Sequence, residues 1–321
     1  MLLGRRVSTS LQKSGYFMLD VFINVIMPVF LVAVLAGVFQ RWRKISSGPI
    51  SQITLYMLAP CLIFKSLVEQ EIPQSVSIGI VLTVLSGTTL LIVTSYVIST
   101  IMRHDGSMRG AFILSSAFPN VGNLALPVLL LAFGEEGLAI GVIIFVTQAT
   151  IGFSFGVFVA ANSNMDVPQA IKQIFKIPAI YATALALIVR TLNIELPFLV
   201  SQPITLLGQS AIPMMLVVLG LQFGNQFQLD KVISLSFAVI VRLFLSVPLI
   251  YFTSLMFNLT PLAQGVVIIA YAMPVAVFTI ILATEFKTNP KFVTNAVVAS
   301  TVVSTVTLAI VIPSVKTFLG L

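Results

Sequence analysis

The sequence predicts an all-α integral membrane protein with ten transmembrane helices in two inverted five-helix repeats, and three observations carry that expectation. First, 58% of the 321 residues are apolar and 8% are charged, with a mean hydropathy of +1.09. A soluble domain of this size carries roughly 25% charged residues to cover its surface. Lipid is therefore the natural solvent for most of this chain. Second, the apolar residues fall into ten stretches, each near the roughly 20 residues that a helix needs to cross a bilayer. Third, the two halves carry prolines in one register.

The stretches are bounded by charge, proline or glycine clusters. They lie near 19–39, 46–66, 76–102, 109–133 and 137–161, then near 177–194, 202–223, 231–257, 261–284 and 291–318. Arg41, Arg43 and Lys44 close the first. Glu69, Glu71 and Pro73 part the second from the third, which Arg103 to Asp105 closes. Gly134 to Gly137 part the fourth from the fifth. The sixth is cut short by Arg190 and spans only if that side chain snorkels to the interface. The run NSNMDVPQAIKQIFK at 162–176 is the most polar of any length and divides five helices from five. The expected organisation is an N-terminal tail at 1–18, a first repeat at 19–161, a central cytoplasmic loop at 162–176 and a second repeat at 177–321.

Pro60 in LYMLAPCLIF corresponds to Pro213 in QSAIPMMLVV at an offset of 153, and Pro119 in SSAFPNVG to Pro274 in AYAMPVAV at an offset of 155. Because five is odd, the second copy enters the membrane from the opposite face, an arrangement common among secondary transporters. Orientation follows from Lys and Arg. The odd-numbered connections hold Arg41, Arg43, Lys44, Arg103, Arg109, Lys172, Lys176, Lys231, Lys287 and Lys291. The tails and even connections hold Arg5, Arg6, Lys13, Lys65, Arg190 and Lys316. The odd face is expected in the cytoplasm and both termini outside it. Met18 directly precedes the first apolar run and no signal-peptide cleavage pattern is visible, so the tail reads as a mispredicted start.

The middle of the fourth stretch holds Pro119, Gly122 and Pro127 with Asn120 and Asn123 among them. Proline removes a backbone donor and clashes with the preceding turn, glycine loosens the chain, and asparagine amides can serve the groups left unpaired. In hydrocarbon such a break is tolerated only inside protein or beside a water-filled cavity. The ninth stretch repeats the theme with Tyr271, Pro274 and Thr279. Facing breaks bring half-helix N-termini and freed amides together, an electropositive spot suited to an anionic group. The candidate substrate-binding residues are therefore Pro119, Asn120, Gly122 and Asn123 at the first break and Pro274, Val275 and Ala276 at the second. Gln148 joins them, because it lies midway along the helix that follows the first break. Arg242, inside the eighth stretch, reads in two ways. It is a counter-charge that attracts the anion or holds the ninth helix by its free carbonyls, or a structural cap with no substrate contact.

With LYMLAPCLIF, PNVGNLALP, KIPAIYATALALIV and AMPVAVFTIILATEFKTNP, nearly the whole chain from about Phe22 onward resembles the auxin efflux carrier family, the PIN-type carriers and their bacterial relatives known as malate or malonate permeases. The resemblance implies the bile-acid symporter and sodium/proton antiporter fold, in which helices four and nine are broken and cross. It further implies that Pro119, Asn120 and Pro274 sit at the crossing and help to hold a carboxylate. A scaffold of spans 1, 2, 6 and 7, a mobile unit of the other six and a homodimer through the scaffold are also implied.

The ten acidic residues all fall at span ends or in connections, which argues against cation exchange through an intramembrane carboxylate. A coupling sodium ion held by amide and carbonyl oxygens, with Gln148, Thr147 and Gln264 among the donors, stays open, as does a coupling proton. Cys61 is the single cysteine and His104 the single histidine, so a disulfide framework is excluded and neither a metal site nor a nucleophile–base pair is expected. The net charge of +7 is scattered through short connections and reads as topology, not as a nucleic-acid surface. No GxxxxGK[ST] run is present. The expectation is a secondary carrier in the cell membrane, without cofactor or catalytic residue. It moves a small organic anion, either malate or another carboxylate or an auxin-like indole acid, by displacing one helical unit against a fixed one. The alternatives are a sodium-coupled symporter of the bile-acid type and a membrane sensor that binds a ligand without moving it.

Overall fold

A computed structural model describes residues 19–70, 72–156, 159, 178–222 and 230–321. The expected tail at 1–18, the central loop at 162–176, Glu71 and the ends of the fifth and seventh stretches lie outside these. The helices are α1 (Leu19–Arg43), α2 (Ser47–Glu69), α3 (Gln74–Ile101), α4 (Gly106–Ala117), α5 (Val121–Ile151), α6 (Pro178–Thr191), α7 (Phe198–Gln222), α8 (Val232–Leu255), α9 (Pro261–Tyr271), α10 (Phe278–Glu285) and α11 (Pro290–Leu319). Among the described residues, seven of these helices are long and apolar enough to cross a membrane. Their outer faces are apolar too: Val34, Leu35 and Val38 of α1 are 57%, 61% and 62% exposed. Such faces are stable against acyl chains and not against water, so the chain is a multi-pass membrane bundle.

Prolines shape several of these helices without ending them. Met27, Ala59 and Leu126, the residues before Pro28, Pro60 and Pro127, each donate to the carbonyl five residues back, on Phe22, Thr54 and Val121. One widened turn before each proline makes room for its ring, which would otherwise clash with the preceding turn. The N-termini of α4, α9 and α11 are capped by Asp105, Thr260 and Asn289, whose side chains accept from the third residue on.

α5 is longer than any single span expected, because it folds back at Gly134, where φ is 68° and ψ −160°. A methyl group placed on Gly122 would lie 2.9 Å from the Phe145 ring, and one on Gly141 would lie 2.8 Å from Leu129. A straight helix would hold Gly122 and Phe145 about 34 Å apart, so the two arms of α5 run antiparallel. The turn falls in the Gly134–Gly137 run, where the sequence parts its fourth and fifth stretches. Arg190 sits in the last turn of α6 and donates to the carbonyls of Gln70 (3.3 Å) and Ile72 (3.5 Å), which ties the short helix to the α2–α3 connection.

Two apolar clusters form the interior. The smaller joins α2, α6 and α7 around Ile63, Ala186 and Ala211, with Leu126, Leu138 and Val142 of α5. The larger gathers α3, α4, α5, α8, α9, α10 and α11, together with Val25, Val29 and Ala33 of α1 and Leu216 and Leu219 of α7. α1 and α7 pack backbone to backbone, with Gly220 against the Ala33 carbonyl and a methyl there 2.7 Å from Ala36 Cβ. Small residues allow such approach in lipid, where dispersion replaces the hydrophobic effect as the driving force. Gly220→Leu is expected to lower the thermal unfolding midpoint by the equivalent of about 1–3 kcal/mol of overpacking, measured by light scattering of detergent-solubilised protein. An unchanged midpoint would show that the contact yields freely.

Candidate functional site

The sequence breaks α4–α5 and α9–α10 at prolines, and the fold joins the two breaks. Asn120 N–H donates to Pro274 O (2.8 Å) and Ala276 N–H donates to Phe118 O (2.9 Å), which makes Pro119 and Val275 an antiparallel bridge pair. Neither residue of that pair has to give its own N–H to the partner segment, so proline at 119 costs the bridge nothing. The N–H of Val275 goes instead to Ser300 Oγ of α11 (3.0 Å). Buried backbone groups released by both breaks are thus paired with each other, as a low-dielectric interior demands.

Arg242 lies behind this crossing. Its side chain is fully buried, and its guanidinium donates to Ser116 O (3.2 Å) at the end of α4 and to Tyr271 O (2.8 Å) at the end of α9. The Ser246 hydroxyl also reaches Tyr271 O, at 2.8 Å. Both carbonyls belong to helix C-termini, the negative ends of the helix dipoles, and one delocalised cation serves the two.

Beyond the crossing lies a cavity of about 110 Å³. Pro119, Asn120, Gly122 and Asn123 line it, with Gln148 from the second arm of α5 and Ala276 and Phe278 from the second break. Ser51, Thr54 and Leu55 of α2, Ala179 of α6 and Met215 and Val218 of α7 form the opposite wall. The first turns of α5 and α10 therefore both face it. Among the described lining residues none is charged, and Phe145, Phe278, Ile281, Met215 and Val218 make it largely apolar. Asn120 Oδ1 accepts from Asn123 N–H (3.2 Å) and caps α5. Among the described residues its Nδ2 has no partner, and neither does Gln148 Oε1. Gln148 Nε2 is engaged by Thr88 Oγ1 (2.9 Å) and Tyr271 Oη (2.8 Å).

Six of the sequence-derived candidates, Pro119, Asn120, Gly122, Asn123, Gln148 and Ala276, thus line one cavity. Pro274 and Val275 build the crossing without lining the cavity, and Arg242 stands behind it as a cap on carbonyls. Thr147 donates to Ile143 O and Gln264 to Ser254 Oγ, so these two do not gather with Gln148. Sequence reasoning missed the wall from α2, α6 and α7 and the two aromatic lining residues Phe145 and Phe278. With 24 phenylalanines in the chain, no spacing singles those two out.

A profile of the family described as membrane transport protein matches residues 16–312. The chain belongs to that family. This membrane transport family takes in the auxin efflux carriers that the PNVGNLALP run resembles, so the protein is a membrane-embedded secondary transporter and not an enzyme. An uncharacterized transporter of Methanocaldococcus jannaschii is similar, at 23% identity over 295 residues that cover 88% of this chain and 95% of the relative. In this member of the membrane transport family, the cavity at the crossing lies where the two apolar clusters meet.

Proposed function

We propose that the protein is a secondary carrier for small organic anions with one carboxylate and an apolar body. It works by alternating access across the cytoplasmic membrane and is built as two inverted five-helix repeats, 19–161 and 177–321. The observation that carries this reading is the meeting of two helix N-termini and the unpartnered Asn120 amide in a largely apolar, uncharged cavity. Helix N-termini and a free N–H donor stabilise one carboxylate. A second carboxylate would face Phe145, Phe278 and Met215 without a cation, at the full cost of an unpaired buried charge. The two reciprocal backbone bonds between the breaks support the inverted repeat, since each break stands in the same relation to the other.

Apart from the two breaks, the cavity is lined by the starts of α2 and α6 and the last turns of α5 and α7, the ends that adjoin the odd-numbered connections. With the Lys and Arg excess on that side, this is an inward-facing state, and both termini lie outside the cytoplasm. Transport carries α4, α5, α9 and α10 past the wall of α2, α6 and α7, so that the crossing meets the opposite face. An inside-negative potential favours export of a monoanion by about 2.3 kcal/mol per 100 mV, so efflux needs no coupled ion. Counterflow in sodium-free proteoliposomes tests the reading: labelled indole-3-acetate should exchange saturably, and labelled malate at least about tenfold less well. Saturable binding without exchange would make the protein a receptor and overturn the proposal, as would strict dependence on sodium.

A further inference from the structure

We infer that Tyr271 determines substrate specificity as a positioning residue. It holds the Gln148 amide with its carbonyl oxygen left to the cavity, so that the site selects anions bearing an O–H or N–H donor besides their carboxylate. This rests on the carrier reading above and deepens it.

The inference comes from counting hydrogens. Five contacts of hydrogen-bonding length link Gln148, Thr88, Tyr271 and the Val84 carbonyl. The Thr88 hydroxyl is 2.7 Å from Val84 O, the Tyr271 hydroxyl 2.9 Å from the same oxygen, and the two hydroxyls are 2.6 Å apart. The Gln148 amide nitrogen is 2.9 Å from Thr88 Oγ1 and 2.8 Å from Tyr271 Oη. Each hydroxyl owns one hydrogen and the carbonyl none. With the amide NH2 turned to the hydroxyls, which lie only 2.6 Å apart, one N–H points between them and about three hydrogens serve the five contacts. With the amide oxygen there instead, about two would serve five, and the remaining oxygens would touch with nothing between them. The NH2 is therefore fixed inward on the hydroxyls.

That choice decides what Gln148 presents. Its side chain is 3% exposed, as is Asn120, and both residues line the cavity. Of the lining side-chain atoms, an acceptor, Gln148 Oε1, and a donor, Asn120 Nδ2, have no partner among the described residues. A carboxylate answers the donor. A hydroxyl or N–H on the same ligand answers the acceptor, and a ligand lacking one buries Gln148 Oε1 unsatisfied. Removing the Tyr271 hydroxyl leaves the amide on Thr88, whose one hydrogen can stay on Val84 O while the hydroxyl accepts from the NH2, or turn to the amide oxygen instead. The amide is then free to turn, and the preference is lost while the cavity keeps its shape.

Two matched pairs of acids test this by competition against labelled indole-3-acetate in counterflow. Mandelate against phenylacetate places a donor beside the carboxylate, and indole-3-acetate against 1-naphthylacetate places one on the ring. Wild-type protein should favour the donor-bearing acid at least about tenfold in at least one pair. Tyr271→Phe should shrink that preference below about threefold with maximal exchange largely kept, and, should Tyr271→Phe fold poorly, Gln148→Leu should shrink the same ratio within each pair whatever its maximal exchange. Equal inhibition within both wild-type pairs overturns the specificity inference and leaves the carrier reading standing. An undiminished preference in folded Tyr271→Phe or Gln148→Leu also overturns it. Exchange of none of the four acids overturns the carrier reading and this inference with it.

Discussion

Arg242→Gln should cost about 3 kcal/mol of stability and most of the exchange activity, without changing the substrate concentration that half-saturates whatever activity remains. The guanidinium holds Ser116 O and Tyr271 O at 3.2 and 2.8 Å from a fully buried position. Hydrogen bonds to a charged group contribute about 1.5–3 kcal/mol each, and glutamine replaces the fork by a shorter, neutral donor. Two helix C-termini, both negative, would then face each other with little between them, and the crossing they support would loosen. Arg242→Lys keeps the charge as a point without the fork and should fall between. Thermal unfolding in detergent and counterflow over a range of substrate concentration check this together. A steep rise in the half-saturating concentration, with the unfolding midpoint unchanged, would instead make Arg242 a substrate counter-charge.

Asn120→Asp should abolish exchange of organic anions, by at least about 100-fold, in a protein that still folds but unfolds at a lower temperature, because Asn120 is buried and the new carboxylate must leave water. Aspartate keeps the oxygen that accepts from Asn123 N–H and is an equally good helix cap. What changes is the free N–H donor of Asn120, which becomes a second acceptor with a negative charge. At an effective dielectric of 20, two like charges about 4 Å apart repel by about 4 kcal/mol, more than a 100-fold loss requires. Asn120→Ala separates the two contributions. It removes the donor without adding charge and also sacrifices the cap, so exchange should weaken with a loss of about 1 kcal/mol in stability. Full exchange by folded Asn120→Asp would remove this residue from the substrate site.

Much of the site was legible because its signals are local. Pro119, Asn120, Gly122 and Asn123 announce a break wherever they occur in an apolar run, and four of the lining positions follow from that alone. Gln148 was reachable because the helix after the break must fold back beside it, which the reversal at Gly134 accomplishes. The opposite wall was not reachable. Ser51, Thr54, Ala179 and Val218 are ordinary residues of apolar helices, and nothing in their neighbours in sequence says which face meets the cavity.

The membrane class of the chain, the placing of its apolar helices and the positions of both breaks were determined by residue type alone. Hydropathy and proline chemistry act on a segment whatever its neighbours are. Arg242 shows where that reasoning ends, since its sequence allowed both a counter-charge and a cap. Only the tertiary structure brings its guanidinium to the carbonyl of Ser116, 126 residues away, and to that of Tyr271. The same holds for the Gln148 amide, turned by Thr88 and by a tyrosine 123 residues further on. Hydrogen bonds demand partners within about 3 Å, and only the crossing of helices far apart in the chain determines which donors and acceptors come that close.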